Sequence, residues 1–149
     1  MQTIFLLGLF AALLPHTSSG ALPNYTWNTI YQGKTVQFGL ADTDDRIMRI
    51  DCEGGGRLSI SVPMANDAQL GSHLWVTFSS ANFRERRKAE VTEGVVPNLS
   101  VKVRQDDPAI LALLSGHALR VARGENWLQA PGKGAGRVLR SLINACHRR

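Results

Sequence analysis

Apolar and polar residues alternate with a period of two through most of the chain. In RIMRIDC, Met48, Ile50 and Cys52 fall on one side, with Arg49 and Asp51 on the other. EGGG follows, and RLSISV then sets Leu58, Ile60 and Val62 inward and Arg57, Ser59 and Ser61 outward. Two such runs joined by a glycine-rich tetrad predict a β-hairpin with Cys52 toward the core. LWVTF repeats the pattern with Leu74, Val76 and Phe78, LSVKVR with Leu99, Val101 and Val103 against Ser100, Lys102 and Arg104, and TVQFGL with Val36, Phe38 and Leu40. With the charged run FRERRKAE and the HALRVAR segment, the expectation is about seven strands in a half-buried antiparallel sheet with one side wet.

Helical periodicity is confined to the last third. DDPAILALLSG offers Asp107 as N-cap, Pro108 as the first helical residue and Gly116 as the stop. WLQAPGKGAG reads as a loop. RVLRSLINAC then places Leu139, Leu142, Ile143 and Cys146 at i, i+3, i+4 and i+7, an apolar stripe from which Arg137, Arg140 and Asn144 point away. The predicted class is α+β, a mostly antiparallel β-sandwich or curled sheet with two short helices near the C-terminus.

The amino terminus changes the picture of where the chain works. Ile4 to Leu14 is an unbroken apolar run followed by Pro15 and small polar residues, the layout of a secretory signal, although no Lys or Arg precedes it. Ser19 and Ala21 supply the small residues of a cleavage site, so residues 1–21 are expected to be removed, leaving 22–149 as one exported domain. The run is too short to span a bilayer, which takes about 20 apolar residues, and no later segment approaches that length. Export makes Cys52 and Cys146 default partners in a disulfide, an even count in an oxidising compartment. The 94-residue separation gives such a staple about 4–5 kcal/mol on the chain-entropy model. Cys146 and His147 do not form a nucleophile and base, because adjacent residues on a helix point about 100 degrees apart.

The net charge of +5 favours anionic partners such as polysaccharide, phospholipid or nucleic acid without choosing among them. The densest basic run is FRERRKAE. As a strand it projects Arg84, Arg86 and Lys88 from one side and Phe83 and Arg87 from the other, with the Arg87 stem free to lie across apolar surface. A solvated edge explains such a run, and so does docking to an acidic partner. Specific nucleic-acid recognition is not expected, since no aromatic residue interleaves the run.

Other features favour structural readings. PGKGAGR resembles an anion cradle but lacks the nucleotide-site spacing and reads as a flexible linker. Asp42, Asp44 and Asp45 lack the glycine and glutamate of a calcium loop and read as a polar turn. His73, His117 and His147 stand singly, and no zinc-ligand spacing occurs. No catalytic residue, metal or cofactor is expected.

The order IDCEGGG, later strands, LALLSGHALRV, a W-L-x-x-P-G loop and a closing SLINAC resembles small proteobacterial periplasmic envelope proteins, among them the type VI secretion-associated accessory proteins. The resemblance covers Ile50 to Cys146. RIDC and VTFSS stand where that group has RxC and RFD-like runs. It implies a non-enzymatic envelope accessory or binding protein, whose partner is an envelope protein or an anionic surface. An inhibitor or immunity protein against a secreted or wall-degrading enzyme is the alternative, and a hydrolase a third.

Overall fold

A computed structural model describes residues 24–147; the signal-segment and cleavage expectations lie outside them. The strands are β1 (Thr26–Ile30), β2 (Thr35–Gly39), β3 (Arg46–Gly54), β4 (Arg57–Val62), β5 (His73–Ser79), β6 (Arg84–Thr92), β7 (Asn98–Arg104), β8 (Leu119–Arg123) and β9 (Asn126–Ala130). The helices are α1 (Pro108–Leu114) and α2 (Ala135–His147). All strands join one antiparallel sheet in the order β1-β2-β3-β4-β7-β6-β5-β8-β9. The expected α+β class holds, and of the two expected arrangements it is the curled single sheet that forms rather than a sandwich.

The curl follows from the alternation. Val36, Met48, Ile50, Leu58, Ile60, Val76, Phe78 and Val101 all lie on one side and are buried in a single cluster. Burying that side without a second sheet requires the first one to wrap around it. β9 accordingly returns close to β3. The Trp27 indole on β1 donates to the carbonyl of Pro131, just past β9, at 2.7 Å, so a side chain bridges the sheet's two ends.

The helices complete the inner side. Asp107 accepts from the Ala109 amide at 2.9 Å, Pro108 opens α1, and Gly116 reverses the chain at φ +84°. α2 lies over β1, β2 and β3 and against α1. Its predicted stripe is buried at Leu139, Leu142 and Cys146 and half-buried at Ile143, and Ala135 and Val138 extend it. The last turn is fixed by the Cys52–Cys146 disulfide, with 5.5 Å between the Cα atoms.

Three expectations need correction. The strands number nine rather than about seven. β1 has too few apolar positions to signal itself, and β9 occupies a segment read as loop, because a two-residue turn at Gly124 and Glu125 folds it back on β8. The outer side is not uniformly wet: Ser59 and Ser61 are only 3% and 8% exposed. Ser59 stands between the longer Asp51 and Lys102, and Ser61 beside Arg49 and bonded to Ser100, so these short side chains are shaded by their cross-strand neighbours. Finally, PGKGAGR is no simple linker. Gly132 is buried, and a Cβ there would sit 2.1 Å from the Gly116 carbonyl carbon. The segment is a close backbone crossing that only glycine permits.

Replacing both Cys52 and Cys146 by alanine should lower unfolding free energy by about 2–5 kcal/mol, read from urea transitions. Gly132→Ala should cost about 1–3 kcal/mol or more, because backbone rather than a flexible side chain must move aside; an unchanged midpoint would mean that the crossing is loose.

Candidate functional site

β6 sorts its charges by side. Arg87 points inward, its guanidinium 5.1 Å from the Phe78 ring centroid, and bonds Asp107 at 2.7 Å and Glu85 at 2.6 Å. Burial opposes that charge, but the bonds to Asp107 and Glu85 outweigh it and hold the Arg87 pKa above its ordinary value. This basic residue therefore ties β6 to the N-cap of α1.

Arg84, Arg86 and Lys88 point outward and are exposed. Cross-strand pairing carries their rows over three further strands. Arg84 faces Ser79, which faces Arg120, which faces Gln129. Arg86 faces Thr77, then Ala122, then Trp127, and Lys88 faces Trp75. Trp75 and Trp127 are each 53% exposed. The Arg86 guanidinium lies 4.7 Å from the Trp75 ring centroid, and that of Arg120 lies 4.2 Å from the Trp127 ring. Arg120 also donates to Gln129 at 3.2 Å.

Over β3, β4 and β7 part of the outer side is paired, although the exposed Arg57 and Lys102 there form no ion pair among the described residues. Arg49 is forked onto Asp51, which also accepts from Thr35; Ser59 bonds Glu53 and Ser61 bonds Ser100. On the same side Arg104 meets Asp106, and on the opposite alternation Arg46 meets Asp44 and Arg123 meets Asp67. Among the described residues, Arg84, Arg86, Lys88 and Arg120 form no ion pair. The one carboxylate on their side of these four strands is Glu90, at the far end opposite His73.

The β6–β7 ladder pairs only from Glu90–Ser100 to Thr92–Asn98. Continued in register, it would set Lys88 against Lys102 and Arg86 against Arg104. Like charges directly opposite are unfavourable, and the strands part before that point.

The other candidates lie apart. His73 begins β5, His117 follows α1, and both are exposed; His147 contacts Gln105 beside the disulfide. The opening between the β4–β5 connection and the β8–β9 turn measures about 880 Å³ and is lined by Met64, Asn66, Arg123, Glu125 and Trp127. Across it Arg123 bonds the Asp67 carboxylate and holds its pKa below the usual range. Asp42, Asp44 and Asp45 lie in the β2–β3 turn, where Asp45 accepts from the Tyr25 hydroxyl. Among the described residues no group of three His, Cys, Asp or Glu side chains is placed to hold a metal. No family model, curated protein or solved structure matches the chain.

The basic row was legible from the alternation of FRERRKAE, but its meeting with two indoles was not. Trp75 follows from LWVTF, where every residue between inward ones points out. Trp127 and Arg120 join it only through long-range pairing. The aromatic interleaving that the run lacks in sequence is thus supplied in space.

Replacing Arg84, Arg86 and Lys88 together by glutamate should leave circular dichroism unchanged and shift stability by about 0.5 kcal/mol per site at Arg84 and Lys88, as for exposed positions outside any ion pair, and by about 0.5–1 kcal/mol at Arg86, which also loses its contact with Trp75. A variant that unfolds would make the row structural.

Proposed function

We propose that the chain is a non-enzymatic, exported envelope accessory or binding protein that docks an acidic partner on the outer side of β6, β5, β8 and β9. The observation that carries this reading is the clustering of charge there: Arg84, Arg86, Lys88 and Arg120 lie in adjacent rows of one face, none in an ion pair among the described residues, with Glu90 at its far end as the one carboxylate of those strands on that side and two indoles among them. A row of like charges is mildly self-repelling, and an anionic partner relieves it. Arginine and tryptophan are also the side chains that contribute most per residue to binding surfaces.

The Cys52–Cys146 disulfide supports export, and no described helix is long and apolar enough to cross a membrane. A non-catalytic role is in keeping with separated histidines and oxidised cysteines, and no cofactor is invoked. The resemblance to type VI secretion-associated accessory proteins of the periplasm supports a partner in the envelope, a protein or an anionic surface.

A second reading has its own observation. The loop between β6 and β7 presents Val95, 83% exposed, beside Val96, and a protruding apolar tip suits an inhibitor or immunity protein that enters an enzyme cleft. On that reading Val95→Asp removes binding to the enzyme, while glutamates at Arg84, Arg86 and Lys88 leave it.

Polyglutamate immobilised on a sensor surface is the minimal acidic partner. The wild-type domain should bind it with an on-rate that falls steeply with salt, and the triple glutamate variant should bind about tenfold more weakly or worse. Equal binding by the two proteins would remove this face from the interface.

A further inference from the structure

The outer side of β6, β5, β8 and β9 repeats one arrangement: an indole with a guanidinium over it, Arg86 on Trp75 and Arg120 on Trp127. Trp75 precedes Thr77 by two residues; Thr77 faces Ala122, and Ala122 faces Trp127. The indoles are therefore two strands apart and one same-side step along, about 12 Å between Cα atoms for ordinary strand spacing and rise. A single small ring cannot stack on both, so a ligand using both is an oligomer.

The rest of the face narrows its chemistry. Ser79, Thr77 and Gln129 lie in the same rows as the cations, and the only aliphatic side chain in those rows is Ala122. A lipid surface would want aliphatic anchors, and none is offered; a protein partner would use the same arginines and indoles, and the polyglutamate arm of the test separates it from a glycan. What is offered is a stacking surface, a cation beside it and neutral hydroxyl and amide groups in register.

We propose that this face binds an acidic polysaccharide: an oligomer of sugar rings bearing carboxylate, sulfate or phosphate groups. This rests on the reading of the basic face as the docking surface and names its occupant. The C–H face of a sugar ring packs on the negative face of an indole. Acid groups meet guanidinium donors at Arg84, Arg86 and Arg120 and the ammonium of Lys88. Ser79, Thr77 and Gln129 exchange hydrogen bonds with ring hydroxyls. A single-stranded nucleic acid shares the ring-plus-anion pattern, but an exported protein with an oxidised disulfide works where acidic glycans are the commoner polymers.

The test is a titration of the exported domain with five probes of matched length: oligogalacturonate, a heparin oligosaccharide, a neutral glucan, polyglutamate and oligothymidylate, followed by tryptophan fluorescence and calorimetry. An acidic glycan should bind more tightly than polyglutamate and change the emission, and the neutral glucan should bind far more weakly. Trp75→Ala and Trp127→Ala should each weaken glycan binding about tenfold, the scale of one lost stacking contact, and leave polyglutamate binding within about twofold. Arg86→Gln and Arg120→Gln, which keep both indoles, should weaken binding to both polymers. Preference between oligogalacturonate and heparin identifies the acid group.

Failure of both acidic glycans to bind, or tryptophan variants with unchanged glycan affinity, would overturn the proposal while leaving the basic-face reading intact if polyglutamate still binds. Tighter binding of oligothymidylate than of either glycan would reassign the face to nucleic acid. Anion binding that survives the triple glutamate variant would instead overturn the underlying reading.

Discussion

The docking of α2 on the inner side of β1, β2 and β3 is the contact on which the other features depend. A single sheet with one apolar side has no second sheet to bury it, so it must curl, and the curl leaves a space that α2 fills with Leu139, Leu142 and Cys146. The helix starts at the Gly132 crossing, beside the Trp27–Pro131 bond, and ends at Cys52. It is thus held at both ends, by a close backbone approach and by a covalent bond. The 94-residue separation means that the disulfide closes a loop over about three quarters of the described chain, from the end of β3 to the end of α2.

Because the inner side absorbs the apolar residues, the outer side is free to differ from one part of the sheet to the next. Over β2, β3, β4 and β7 it carries a polar network in which Thr35, Asp51, Arg49, Ser59 and Ser61 satisfy one another or close neighbours, with Arg57 and Lys102 exposed beside it. Over β6, β5, β8 and β9 it is open, with cations and half-exposed indoles. Exposed ion pairs contribute little to stability, about 0–1 kcal/mol each. The absence of ion pairs at Arg84, Arg86 and Lys88 among the described residues therefore costs the fold little and leaves their charge available to a partner.

Period-two alternation made the inward sides of β3, β4, β5 and β7 legible, and α2's stripe and α1's Asp107, Pro108 and Gly116 were legible from helix periodicity and capping. Those signals are local. The burial of Ser59 and Ser61 depends on cross-strand neighbours, the constraint on Gly132 on a backbone more than ten residues away, and β9 on its pairing with β8 rather than on its own composition. The choice between sandwich and curled sheet was open for the same reason, since alternation fixes which side is buried but not what covers it. The basic row was read correctly as to side; Trp75, Arg120 and Trp127 joined it through strand order, which no local window contains.

The central claim is that the outer side of β6, β5, β8 and β9 is where an acidic partner sits. Backbone amide resonances of the isotope-labelled domain, followed during titration with an acidic oligomer, test it directly. The account predicts shifts confined to those four strands and the side-chain signals of Trp75 and Trp127, fading as salt is raised. Shifts centred on the loop carrying Val95, on the groove near Arg123 and Asp67, or on the polar network around Asp51 would contradict it.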